Sequence, residues 1–69
     1  MLKIFCTRLI EERKANKITQ VEMAKELNIS QPSYIRYENG TSEPTLENLK
    51  KIADVLDVSV DYLLGRDDF

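Results

Sequence analysis

Thr19–Gly40, TQVEMAKELNISQPSYIRYENG, is the stretch that decides how this chain folds. Thr19 and Glu22 have the spacing of a capping box. The Thr hydroxyl accepts from the Glu22 N–H, and the Glu carboxylate accepts from the Thr19 N–H. Ile18 and Met23 flank that cap as a hydrophobic staple, and Met23, Ala24 and Leu27 follow the helical period. Asn28 tolerates a left-handed backbone and ends this first helix. Ser30 then caps a second helix, with Ile29 and Tyr34 as its staple pair. Pro32 falls in the first turn, where a missing N–H costs little, so the Ser30 hydroxyl is expected to cap Ser33. Asn39-Gly40 supplies the stop. The stretch therefore predicts two short helices joined by a tight turn.

The second helix has two distinct sides. At about 100° per residue, Tyr34 and Tyr37 point one way, while Gln31, Pro32, Ile35 and Arg36 fill an arc on the other. That arc suits a DNA major groove. Gln pairs in a bidentate way with adenine and Arg with guanine, and Ile35 or the Pro32 ring meets a thymine methyl. Each good bidentate pair discriminates by about 1–3 kcal/mol. A Gln and an Arg on one helix are, taken alone, ordinary solvated surface. Inside a doubly capped two-helix unit they read as a DNA-reading face.

The chain resembles the Cro/cI-like phage-repressor helix-turn-helix family, also called the XRE family. The similarity lies in Thr19-Gln20, Glu22-Met23-Ala24, Leu27-Asn28-Ile29-Ser30-Gln31 and Arg36-Tyr37-Glu38-Asn39-Gly40. It extends upstream to Arg8-Leu9 and Arg13. Downstream it reaches Pro44, Leu46, Leu49, Ile52-Ala53, Leu56, Val58-Ser59 and Tyr62-Leu63-Leu64-Gly65, so that it covers roughly Phe5 to Gly65. The resemblance implies an all-α, compact five-helix bundle of the phage-repressor DNA-binding-domain type, with the helix-turn-helix in helices 2 and 3. It also implies binding to double-stranded operator DNA, generally as a dimer. Gln20 is then expected to touch the DNA backbone, and Gln31, Pro32 and Arg36 to face bases with Ile35 beside them. Ser30, Ser33, Asn39, Thr41, Ser42 and Arg13 complete the expected phosphate contacts. The chain departs from the family pattern in two places. Lys17 and Asn28 stand where Gly is frequent; Asn28 is a mild substitute, and Asn16 is expected to take the left-handed position before Lys17. The loop after Gly40, often basic in the family, reads Thr41-Ser42-Glu43; its hydroxyls donate to phosphates and Glu43 repels them.

The flanks continue the same grammar. Helix 1 is expected from Leu2 to Ala15, with Phe5, Leu9 and Cys6 inward and Arg8, Glu11, Glu12 and Lys14 outward. Thr45 caps a fourth helix with Leu49 at the staple position, and Ser59 caps a short fifth with Val58 and Leu63 as its pair. Repetition of one device at successive helix starts supports an all-α chain. The 69 residues are expected to form one domain, 1–69, with 66–69 as a flexible tail and no effector domain after Gly65. A domain this small buries only about 60% of its unfolded surface.

Composition removes much other chemistry. With no His and one Cys, metal ligation, Cys/His catalysis and an internal disulfide lack partners. No enzymatic activity, cofactor or small-molecule ligand is expected. Cys6 reads as a small buried or half-buried filler, and a free thiol fits a reducing cytoplasm. No apolar run reaches the roughly 20 residues of a membrane span. The Asp and Glu residues fall on expected outer faces or caps. Net charge is −2, unlike the basic balance common in nucleic-acid binders. Its distribution is uneven, however. Residues 1–36 hold seven Lys/Arg and four Glu (+3), residues 37–69 three Lys/Arg and eight Asp/Glu (−5), which together restore −2. The positive end carries the reading helix, which would orient the chain on a duplex while limiting non-specific binding. About four to six phosphate contacts per dimer are expected.

The sequence thus reads as a sequence-specific transcriptional regulator, a repressor occupying an inverted-repeat operator as a homodimer. An antitoxin or restriction-controller role stands as the alternative within DNA binding. A protein–protein adaptor using Tyr34, Ile35 and Tyr37 stands outside it. Leu63 belongs to the expected core. Tyr62, Leu64 and Phe69 form either an isologous dimer patch or a cover for the base of the core.

Overall fold

The computed structural model describes residues 2–66, with side chains from Lys3 onward; Phe69, one of the expected dimer residues, and most of the expected tail lie outside them. The described residues form five helices and no strand: α1 Leu2–Ala15, α2 Gln20–Leu27, α3 Gln31–Asn39, α4 Leu46–Leu56 and α5 Val60–Leu63.

The starts of α2 to α5 are each fixed by a side chain at the cap. The Thr19 hydroxyl accepts from the Glu22 N–H at 3.1 Å, and the Glu22 carboxylate accepts from the Thr19 N–H at 2.8 Å. These backbone and side-chain hydrogen bonds hold the Glu22 carboxyl below its ordinary range. Ser30 caps Ser33 at 3.2 Å, as the proline-containing turn requires. Thr45 caps Asn48 at 3.1 Å and Ser59 caps Tyr62 at 2.9 Å. Such a cap contributes about 0.5–2 kcal/mol. The stops use left-handed residues: Asn28 (φ 56°), Asp57 (φ 56°) and Gly40 (φ 83°). After α1 it is Lys17, at φ 58°, that turns left-handed, not Asn16. Asn16 instead extends the helix, its backbone N–H and its side-chain amide both donating to the Glu12 carbonyl. The turn then closes through the Ile18 N–H on the Arg13 carbonyl at 3.1 Å.

Helix α3 lies between α1 and α2, while α4 packs on α2 and α5 closes against both α1 and α4. Phe5, Leu9, Met23, Leu27, Tyr34, Ile52 and Leu63 fill the centre, drawn from all five helices. Tyr34 and Tyr37 meet edge-to-face with ring centroids 6.3 Å apart, a favoured aromatic geometry. The outward assignment of Arg8 and Glu12 needs correction, since both are half-buried. Arg8 lies 4.3 Å over the Tyr62 ring and donates to the Tyr62 carbonyl. A guanidinium on an aromatic face packs by its flat surface while its N–H groups remain free to bond in the plane.

Candidate nucleic-acid interface

Helix α3 presents its outer side to solvent. Gln31, Pro32 and Arg36 are exposed and Ile35 is half-buried beside them. Neither Gln31 nor Arg36 makes a side-chain hydrogen bond among the described residues. Their donors are therefore open to a ligand. The C-terminal end of α3 is closed by its own backbone, since the Arg36 carbonyl accepts from Gly40, Thr41 and Ser42. That triple closure, with the left-handed Gly40, ends the helix sharply. A Cβ on Gly40 would come within 3.5 Å of the Cys6 sulfur in addition to straining φ. Cys6 itself is half-buried and points its thiol at the Tyr37 carbonyl, 3.3 Å away. Burial pushes that thiol above its ordinary value, so it packs rather than reacts.

The inner side of α3 contains the feature that sequence reasoning missed. Glu38 is 7% exposed, although acidic residues were expected on outer faces or caps. Its carboxylate accepts from Arg13 Nε at 2.5 Å, Arg13 Nη2 at 3.3 Å, Gln20 Nε2 at 3.0 Å and the Tyr34 hydroxyl. Arg13 also donates to the Ile18 carbonyl at 3.0 Å. Burial by itself would raise the Glu38 carboxyl. The hydrogen bonds from Arg13, Tyr34 and Gln20 together outweigh it and hold the group below the ordinary carboxylate range. The same contact with Glu38 raises Arg13, and burial with Glu38 beside it raises the Tyr34 hydroxyl strongly. The result is a buried ionised pair with every oxygen satisfied, joining α1, the start of α2 and α3. A signal for it existed: Glu38 follows Tyr34 by one helical turn, so a buried Tyr34 carries Glu38 inward with it.

The remaining expected contacts fall into two groups. Ser30, Asn39 and Thr41 are exposed and Ser33 and Ser42 half-buried, all around the ends of α3. Ser30 and Ser33 share a hydrogen bond at 2.9 Å, and the Asn39 side-chain oxygen accepts from both the N–H and the hydroxyl of Thr41. The Asn39 amide hydrogens stay available. Gln20 and Arg13 belong instead with the buried pair. One hydrogen of the Gln20 amide goes to Glu38, leaving the other to donate to a phosphate. Arg13 is turned inward onto Glu38 and Ile18, which gives it a role in the fold in this structure. Tyr62 and Leu64 are half-buried and packed on the core. The Tyr62 hydroxyl sits 3.5 Å from the Glu12 carboxylate and its ring beneath Arg8.

A capped two-helix unit with an open arc on its second helix defines a helix-turn-helix protein, and the helix-turn-helix family model matches residues 9–63. Over 59 residues the chain is 54% identical to the cryptic phage CTXphi transcriptional repressor RstR of Vibrio cholerae, covering 86% of this chain and 53% of that protein. It is 40% identical over 55 residues to the antitoxin PezA of Streptococcus pneumoniae, covering 80% of this chain and 35% of that one. Among solved structures it superposes on the P22 c2 repressor in complex with synthetic operator 9T. There the TM-score is 0.84 and the identity 33%, covering 91% of this chain and 96% of that one. The chain belongs to the Cro/cI-like, XRE-type helix-turn-helix family of transcriptional regulators. It spans about half the length of the curated relatives it matches.

Proposed function

We propose that this chain is the sequence-specific DNA-binding unit of a transcriptional repressor that occupies an inverted-repeat operator as a homodimer, α3 lying in the major groove. The observation that carries this reading is the exposed, unpaired arc of Gln31, Pro32, Ile35 and Arg36, held rigid from behind by the Glu38 pair. Gln31 and Arg36 supply base-edge donors, and Pro32 and Ile35 the apolar contact. Gln20, Ser30, Ser33, Asn39, Thr41 and Ser42 fix the register on phosphates; Arg13 acts through Gln20 and Glu38, which it anchors. Its role is binding rather than catalysis, and it works in the cytoplasm. The relatives named as a transcriptional repressor and as an operator-bound repressor support this reading. The similarity to an antitoxin favours, as a second reading, autoregulation of a toxin pair through the same DNA contacts.

Selection from a random duplex pool followed by sequencing tests the proposal. Enrichment of a palindrome whose half-site centres lie about one helical turn apart is the expected result. A pool that stays random would shift the reading to a protein-binding adaptor.

A further inference from the structure

Gln20 and Asn39, two of the side chains proposed to meet phosphates, are uncharged amides with one end engaged within the protein. The Asn39 oxygen accepts from the Thr41 N–H at 3.0 Å and the Thr41 hydroxyl at 2.7 Å, leaving its NH2 group as the free end. Gln20, half-buried in the first turn of α2, engages its other end: Nε2 donates to Glu38 Oε1 at 3.0 Å. An ionised carboxylate only accepts. The amide oxygen therefore cannot take that place, and the Gln20 NH2 group is held on the Glu38 side. Glu38 is itself held. Its Oε2 accepts from Arg13 Nε and from the Tyr34 hydroxyl, and its Oε1 also accepts from Arg13 Nη2 at 3.3 Å.

We infer that Glu38 is a positioning residue for DNA binding: it fixes the sense of the Gln20 amide so that an N–H, and not the oxygen, meets the phosphate. The inference rests on the proposed contact of Gln20 with the DNA backbone. An amide has both a donor end and an acceptor end, and a phosphate rewards only the first. The reversed amide would set its oxygen against an anion, replacing a charge-assisted hydrogen bond with a repulsion. Glu38 does not repel the phosphate as a free acid would, because the Arg13 guanidinium lies against it and balances its charge. The loop after α3, Thr41-Ser42-Glu43, brings no cation to that end of the helix. The grip there depends on neutral donors facing the right way, and a buried acid turns one of them.

The test is a set of variants on the duplex recovered by selection. Gln20→Ala should bind about tenfold more weakly per half-site, and a neutral methylphosphonate at the contacted phosphate should erase that difference. Glu38→Gln has nearly the same shape. Kept well below its urea midpoint, it should lose about fivefold alone and nothing further in the Gln20→Ala background. In a Gln20→Lys background, where the ammonium only donates, Glu38→Gln should leave binding unchanged. A loss of one size in all three backgrounds would mean that Glu38 acts through stability alone, and overturns the inference. Should Glu38→Gln not fold, NMR of the parent decides. One Gln20 amide proton should be protected from exchange in the free chain, and the other should shift when duplex is added. Two protons that exchange alike in the free chain overturn the inference. If Gln20→Ala binds as the parent does, the phosphate contact is wrong; if the parent selects no duplex, the DNA reading is wrong, and the role of Glu38 falls with either.

Discussion

On the inner side of α3 the Glu38 carboxylate accepts four hydrogen bonds from three side chains. On the outer side Gln31 and Arg36 stand exposed with no side-chain hydrogen bond among the described residues. The two sides belong to one nine-residue helix, yet their polar groups meet opposite physical demands. A buried charge is tolerated only when fully paired. A reading face must keep its donors unpaired, because a donor satisfied within the protein gains little from a base edge. The inner side thus sets the orientation of the helix, and the outer side is left free to bind. Substitutions on the inner side should appear as lost stability, and those on the outer side as lost recognition.

Tyr37→Ala should do the most damage, removing a ring that is 7% exposed and the acceptor for Asn48. Truncation of a buried aromatic costs about 3–5 kcal/mol, a large share of the stability of so small a domain. The midpoint of urea unfolding measures it.

Arg13→Met comes next. It leaves Glu38 buried without its counter-charge, at a cost of about 3–5 kcal/mol, lessened here because Tyr34 and Gln20 still donate. Acid should reproduce part of the effect in the parent. Glu38 is held below its unfolded value of 4.5, so its contribution is complete above that pH. It is lost as the pH falls through the depressed folded value. Glu38→Gln should remove that part of the acid dependence in the difference between the two pH–stability curves. A profile identical in both chains would break the assignment of the ionised pair.

Ser30→Ala should cost about 1 kcal/mol by removing the cap on Ser33, detectable as a small fall in the unfolding midpoint. It sits between the two sides, and so should weaken stability and phosphate contact together.

The same contrast explains what was legible in the sequence. Caps and stops are local, set by residues a few positions apart, so Thr19–Glu22, Ser30–Ser33, Asn28 and Gly40 could be read directly. Core positions followed from periodicity. The Arg13–Glu38 pair joins residues 25 apart in sequence; the helical period behind Tyr34 turns Glu38 inward, but nothing local says that Arg13 is its partner. Arg8 was read as outward for a similar reason: its partner Tyr62 lies 54 residues away. Lys17 taking the left-handed position is a case where geometry overrode preference. The α1–α2 turn closes through Ile18 on the Arg13 carbonyl, which fixes the position that must turn, and Lys occupies it. The exposed arc was legible because exposure on a capped helix follows from the burial of Tyr34 and Tyr37 opposite it.

Arg36→Ala tests the account most directly, through its binding to the selected duplex and to single-base variants of it. Stability should stay within about 0.5 kcal/mol of the parent, while discrimination of about 1–3 kcal/mol disappears at one base pair in each half-site. Binding with parental affinity and unaltered preference at every position would contradict the assignment of the outer side of α3 as the reading face.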